Sequence, residues 1–146
     1  MRGYEATAMI NVAPEQVWEL LSDIAAWPNW DSGVRSVDGR LGLGEKLTIS
    51  VEANPGRAFP VKVAKLEQPR EMVFRGGTAL GLFTGQRVYT LEPQAQATRF
   101  TMREQYTGPL AGIIFKSIPD LGPSFQQFAD GLKRLAEQTA GQSDPK

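Results

Sequence analysis

Residues 85–108, "GQRVYTLEPQAQATRFTMREQYTG", decide the fold of this chain. Apolar and polar side chains alternate on both sides of the central "QAQA", and such alternation is typical of a half-buried β-strand. Two such runs separated by a short polar segment predict an antiparallel hairpin. The register that this hairpin implies pairs the following residues: Leu91 with Phe100, Tyr89 with Met102, and Arg87 with Glu104.

One face of the hairpin is apolar and is therefore expected to be buried. It carries Tyr89, Leu91, Phe100, Met102 and Tyr106. Alternate residues of a strand point to the same face, so Arg87 and Glu104 share it. Because a buried charge without a partner is costly, we predict a cross-strand ion pair. Two interpretations stay open: a polar anchor inside an apolar cavity, which orients a carbonyl, hydroxyl or carboxylate, or an ion pair near the sheet edge that faces water.

The rest of the chain supplies further strands and helices. Residues 4–12 alternate in the same way, and four more strand-like runs lie within residues 34–77. Two short helices follow the first strand, and Pro28 is expected to end the second of them, which spans about Ile24 to Trp27. A long helix near the C-terminus carries an apolar stripe made of Phe125, Phe128, Leu132 and Leu135.

This order of elements predicts an α+β fold, in which a seven-stranded curved antiparallel sheet wraps around the long C-terminal helix. The length of 146 residues fits one domain spanning 1–146, with a tail that frays from about residue 139. Only the last helix is long enough to cover the sheet. The volume between the two is either filled by side chains or left partly open as a ligand cavity.

The composition argues against several kinds of site. Lys+Arg and Asp+Glu each number 16, and a formal net charge of zero argues against nucleic acid as a partner. The chain has no His and no Cys, which excludes Ser-His-Asp and Cys-His catalysis and Cys/His zinc sites. We expect no metal and no cofactor. Since the first residues lack the apolar core of a signal peptide and no apolar run is long enough to span a bilayer, we expect a cytoplasmic protein without stable membrane insertion.

Two stretches carry unusual apolar side chains. "AAWPNWDSGV" (25–34) holds Trp27 and Trp30, and we predict that Trp30 packs inward while Trp27 caps the short helices; the alternative is that both are ordinary core aromatics. "GPLAGIIFKSIPDLGP" (108–123) has more apolar residues than one buried stripe requires. Three interpretations stay open for it: a movable lid or apolar rim, a contact in a homodimer, or a buried first turn of the long helix.

The chain resembles the START / Bet v 1-like superfamily, and within it the polyketide cyclase/dehydrase and lipid-transport group. The resemblance is carried by "INVAPEQVWELLSDIAAWPNW" (10–30), by the hairpin and by "FADGLKRLAE" (128–137). It implies a helix-grip fold with an elongated cavity between sheet and long helix. The mouth of that cavity would lie among hairpin loops and the N-terminal part of the helix. "GGTALGLFTG" (76–85) resembles a gate loop of ligand-binding relatives.

Three functions follow from these patterns. The first is binding of a hydrophobic small molecule, such as a lipid, a polyketide or an aromatic metabolite, with a homodimer as a possible assembly. The second is a polyketide cyclase or dehydratase that uses Arg87, Tyr89, Glu104 and Tyr106. The third is a non-catalytic interaction module of the co-chaperone or antitoxin type. The residues expected to contact a ligand are Trp27, Trp30, Phe74, Phe83, Arg87, Tyr89, Met102, Glu104, Ile114, Phe125 and Phe128.

Overall fold

The computed structural model describes residues 2–77 and 79–142. Its elements follow one another in this order: β1 (Gly3–Ile10), α1 (Pro14–Leu21), a 3-10 helix (Ile24–Asn29), β2 (Val34–Asp38), β3 (Lys46–Val51), β4 (Ala58–Glu67), β5 (Glu71–Gly77), a one-turn 3-10 helix (Ala79–Gly81), β6 (Thr84–Gln94), β7 (Ala97–Thr107), α2 (Ala111–Ser117) and α3 (Gly122–Gln142).

The strands form one antiparallel sheet in the order β1-β7-β6-β5-β4-β3-β2. The sheet curls around α3, and the predicted helix-grip architecture is confirmed. The β6–β7 hairpin has the predicted register, since Leu91 lies opposite Phe100 and Tyr89 lies opposite Met102. Alternation alone is sufficient to predict this register, because a slip by one residue would turn every apolar side chain of the hairpin towards solvent.

The second half of α3 packs tightly against β1. Small residues on both elements, Ala8 on the strand and Ala136 on the helix, are buried and allow the backbones to approach. Hydrogen bonds fasten the end of the strand to the helix: Lys133 Nζ donates to the Met9 carbonyl at 2.7 Å, and the Asn11 backbone N–H donates to a Glu137 carboxylate oxygen at 3.0 Å. The Asn11 bond, followed by the Lys133 ammonium, lowers the pKa of Glu137. Leu132 and Ala136 on this half of α3 are almost completely buried.

Three details differ from the sequence prediction or extend it. The second short helix does not end before Pro28 but continues to Asn29, because a six-residue 3-10 helix tolerates the missing N–H that would break a longer α-helix. The interpretation of residues 108–123 as the first turn of the long helix is wrong: α2 is a separate helix. It ends at Ser117, and the backbone of the next residue, Ile118, is extended (φ −94°, ψ 153°) as expected before Pro119. Helix α3 is continuous to Gln142, and residues 143–146 of the predicted frayed tail lie outside the described residues.

One loop residue ties the chain after the 3-10 helix to α3. Asp31 accepts hydrogen bonds from Gln127 Nε2 at 2.7 Å and from Arg134 Nη2 at 2.6 Å. Gly131 lies between these two helix residues, and a Cβ atom there would clash with the Asp31 carbonyl oxygen. The absence of a side chain at Gly131 is thus what lets the loop reach the helix.

Two glycines of α3 provide a matched test of this contact. We expect Gly131→Ala to lower the free energy of unfolding by about 1–3 kcal/mol, because backbone must move to admit the methyl group. Gly141→Ala on the same helix, where a Cβ meets nothing within 4 Å, is expected to raise it by up to about 1 kcal/mol. Equilibrium urea unfolding measures both. The same sign of change in the two variants would contradict the account of the loop–helix contact.

Candidate functional site

The first half of α3 stands away from the sheet, and a cavity of about 360 Å³ lies between them. Its walls come from strands β2 to β7, from α2 and from the first two turns of α3. The helix contributes Ser124, Phe125 and Phe128. This is the end of the long helix at which the resemblance places the mouth of a cavity.

The cavity is apolar at depth and reaches solvent at one side. The buried lining residues include Val34, Ile49, Phe74, Met102 and Phe128, each with at most 6% of its surface exposed. The exposed lining residues are Arg57, Ala58, Pro60, Gly77 and Ser117. The rim therefore lies between the start of β4, the end of β5 and the end of α2.

Part of the sheet wall has no side chains. Gly76 on β5 pairs with Gly85 on β6, and both line the cavity. A Cβ atom at Gly85 would lie 3.2 Å from the Tyr106 ring, so a larger residue there would crowd the aromatic side chain. The sequence pattern alone favours a turn role for these glycines. Their position inside strands could have indicated this wall from the sequence, since glycine in a strand interior often marks a place where a ligand or another backbone approaches closely.

Arg87 and Glu104 form the predicted cross-strand ion pair, and both line the cavity. Nε of Arg87 lies 2.5 Å from Oε1 of Glu104, and only 19% and 12% of the two side chains are exposed. Because both side chains are largely buried, this geometry does not fit the interpretation of an ion pair that faces water at the sheet edge. The two charges compensate each other on an otherwise apolar wall.

Two aromatic residues complete the surroundings of Arg87. The guanidinium carbon lies 4.7 Å from the centre of the Phe125 ring, a distance typical of a cation–π contact, and Nη1 donates to the Tyr89 hydroxyl at 3.5 Å. Burial alone would lower the pKa of Arg87, but the Glu104 carboxylate and the Tyr89 hydroxyl more than offset it and raise that pKa. Arg87 is a permanent cation fixed in position.

Tyr106 lies on the other side of the Glu104 carboxylate. Burial raises the pKa of Tyr106, and the charge of Glu104 and the hydrogen bond to it raise this pKa further. The Phe83 ring stacks on Tyr106 with the two ring centres 5.5 Å apart. Tyr106 therefore stays a neutral hydroxyl, and Phe83 supports it from the gate-like loop.

Three predicted ligand contacts do not line the cavity. Trp27 is fully buried: its Nε1 donates to the Leu21 carbonyl at 2.9 Å, and its ring packs edge-on against Phe128 with the centres 4.9 Å apart. Trp30 is half-buried and packs against the same Phe128 ring at 5.1 Å. Trp30 therefore packs inward against the core and Trp27 bonds to the last residue of α1, but neither indole lines the cavity. Tyr89 is fully buried and contacts the lining residues Arg87, Phe74 and Phe128 without lining the cavity itself.

The other predicted contacts come together on the walls. They are Phe74, Phe83, Arg87, Met102, Glu104, Ile114, Phe125 and Phe128, together with the candidate catalytic residue Tyr106. Side chains of β3 and β4, among them Ile49, Phe59 and Val61, also line the cavity and were not predicted. Alternation in those strands marks these residues as one buried face, but it does not show that α3 leaves that part of the face uncovered.

Helix α2 contributes to both the cavity and the outer surface. Ile114 and, just after the helix, Ile118 line the cavity. Ile113 is 71% exposed, and Leu80 in the gate-like loop is 95% exposed. Of the interpretations left open for residues 108–123, an apolar rim fits this arrangement. Movement of the rim and dimer formation stay predictions.

Neither a metal site nor a membrane span is present in the described part of the chain. Residues 2–77 and 79–142 contain no group of three or more acidic side chains close enough to hold a metal ion. No helix among them is both long and apolar enough to cross a bilayer. The polar side chains that line the cavity are those of Arg57, Arg87, Glu104, Tyr106, Ser32, Ser117 and Ser124.

The sequence profile of one family, described as polyketide cyclase / dehydrase and lipid transport, matches residues 1–137. The chain belongs to this family. Proteins of similar sequence include an uncharacterized protein of Mycobacterium tuberculosis, 25% identical over 140 residues, which covers 92% of this chain and 84% of that protein.

Solved structures with the same fold include proteins from other bacteria. The Zhui aromatase/cyclase of Streptomyces sp. R1128 matches with a TM-score of 0.73 at 14% identity, covering 95% of each chain. A START superfamily protein of Mycobacterium smegmatis matches with a TM-score of 0.69 at 16% identity, covering 94% of this chain and 98% of the other. At such identities the likeness shows the fold alone.

The ion pair makes a quantitative prediction for stability. We expect Glu104→Gln to lower the free energy of unfolding by about 3 kcal/mol, because it leaves the Arg87 charge buried without its counter-charge. Equilibrium urea unfolding near neutral pH measures the change.

The control is an ion pair of similar length on the outside of the sheet. Lys65 Nζ lies 2.6 Å from Glu71 Oε1, but 49% and 27% of these side chains are exposed. We expect Glu71→Gln to cost less than about 1 kcal/mol, because water screens the pair. Equal losses in the two variants would contradict the conclusion that Arg87 depends on Glu104 for its place in the interior.

Proposed function

We propose that this protein binds a small, mainly apolar molecule in the cavity between the sheet and the first half of α3. The observation that carries the proposal is an apolar cavity, open at its rim, with one compensated ion pair on its wall. A volume of about 360 Å³ falls within the range of small-molecule sites, about 300–1,000 Å³. The family's description, which includes lipid transport, is consistent with such a ligand.

The cavity has distinct places for the two parts of such a ligand. Its apolar body would lie against Phe74, Met102 and Phe128, where burial of apolar surface drives binding. Its polar end would lie beside Arg87 and Glu104. A guanidinium has five N–H donors, and two of them are used in the contacts with Glu104 and Tyr89, so further donors are available to a ligand.

Catalysis of cyclisation or dehydration is the second candidate. It is favoured by the three candidate side chains, Arg87, Glu104 and Tyr106, that lie together on one cavity wall, and by the aromatase/cyclase among the proteins of the same fold. In this proposal the cavity confines a flexible chain, and the Glu104 carboxylate accepts a proton from it. The third candidate, an interaction module with a filled interior, has no comparable support because the cavity is open.

Filling the cavity from the helix side tests the proposed function. We expect Ser124→Phe to weaken binding of Nile red, a neutral fluorophore, by about tenfold or more, because the added ring occupies cavity volume. The measurement is a fluorescence titration. Gln126→Phe introduces the same ring two residues further along α3 on its exposed side, and it is expected to leave the affinity unchanged. Unaltered binding in Ser124→Phe would show that the fluorophore binds elsewhere.

A further inference from the structure

The charge balance of the cavity indicates which ligands it selects. We propose that the cavity prefers an uncharged ligand whose polar end both donates and accepts a hydrogen bond, such as a hydroxyl, over a carboxylate or an ammonium ion of the same size. Arg87 and Glu104 are the residues that set this preference. The inference rests on the proposed function, since it concerns the same cavity and the same ligand.

Among the described residues, the charged groups that line the cavity are Arg57, Arg87 and Glu104. Arg57 is exposed at the rim, whereas Arg87 and Glu104 are largely buried and in contact with each other. The buried wall therefore carries one positive and one negative charge, with a sum of zero. A ligand is not needed to neutralise it.

A ligand of either charge, negative or positive, would disturb this balance. A carboxylate placed beside Arg87 would also lie beside the Glu104 carboxylate, 2.5 Å from the same guanidinium, and would bring an uncompensated negative charge into an apolar cavity. An ammonium ion beside Glu104 would meet the Arg87 charge in the same way. In both cases the ligand gives up its hydration without gaining a partner of its own.

A hydroxyl meets complementary groups at the same place. Arg87 has N–H donors that are not used by Glu104 or Tyr89, and a carboxylate offers more lone pairs than the contact with Arg87 uses. The Phe125 ring covers the guanidinium and holds it in this position. A ligand hydroxyl that accepts from Arg87 and donates to Glu104 adds no net charge to the site.

Arg57 offers a different place for a carboxylate. A ligand that entered with its apolar end first would leave its carboxylate at the rim, near this exposed guanidinium. Water screens that contact, so it is expected to add little to affinity. The experiment must nevertheless separate this orientation from binding beside Arg87.

Three probes with the same alkyl chain, decanol, decanoate and decylammonium, test the preference. Each is titrated against the wild-type protein with bound Nile red, below its critical micelle concentration and at neutral pH. We expect decanol to displace the fluorophore at a concentration about tenfold lower than either ion requires. This comparison uses the wild-type protein alone and does not depend on the folding of any variant.

Two variants test which residues set the preference. Glu104→Gln leaves the Arg87 charge without its partner, and we expect it to reverse the order so that decanoate binds more tightly than decanol. Arg87→Gln leaves the Glu104 charge, and we expect decylammonium to become the preferred probe. Circular dichroism shows whether each variant is folded. A variant that does not fold is left out, and the wild-type comparison then decides.

The outcomes separate the inference from the proposed function. If the wild-type protein binds Nile red in the cavity but binds decanoate or decylammonium as tightly as decanol, the inference is wrong and the proposed function stands. If decanoate binding is lost in Arg57→Gln and unchanged in Glu104→Gln, the carboxylate lies at the rim and the inference is likewise overturned. If neither Nile red nor any of the three probes binds, both fail.

Discussion

The fold depends on how one helix covers a curved sheet. The 21 residues of α3 must shield the concave face of seven strands, and they do so unequally. Small buried side chains such as Ala8 and Ala136 let the second half of the helix pack closely on β1, whereas the first half carries the large rings of Phe125 and Phe128, which line the cavity. The cavity is a consequence of this difference along a single helix. Its position is thus determined by the same residues that close the other half of the core.

The ion pair of Arg87 and Glu104 gives the cavity its chemical character. Both residues lie on a strand face that is otherwise apolar, and both side chains are largely shielded from water. Because each depends on the other, we expect the pair to link stability to the proposed ligand preference. Removing one charge is expected to weaken the fold and also to change which ligands the wall accepts. The aromatic rings of Phe125 and Tyr106 fix the pair in place, and the paired glycines 76 and 85 keep the space beside it open.

Much of this could be predicted from the sequence, but not all. The register of β6 and β7 follows from alternation, and this pattern alone places Arg87 opposite Glu104. That neither Trp27 nor Trp30 lines the cavity could not be predicted, because the direction of each indole depends on the turn of a 3-10 helix through Pro28 and not on residue type. The wall formed by Gly76 and Gly85 was not predicted. Glycine inside a strand indicates a close approach, but that these two glycines lie side by side follows only once the pairing of β5 with β6 is known. The extended backbone before Pro119, which separates α2 from α3, could have been predicted, because the residue before a proline disfavours the helical conformation.

The central claim is that the interior beside the first half of α3 is open and accepts an apolar ligand with its polar end at the ion pair. A crystal structure of the protein soaked with an alkyl alcohol that carries bromine at its far end tests this most directly. The account predicts an anomalous bromine peak among Phe74, Met102 and Phe128, with the hydroxyl beside Arg87 and Glu104. Bromine found only on the outer surface, with the space between Phe74, Met102 and Phe128 filled by other protein side chains, would contradict it.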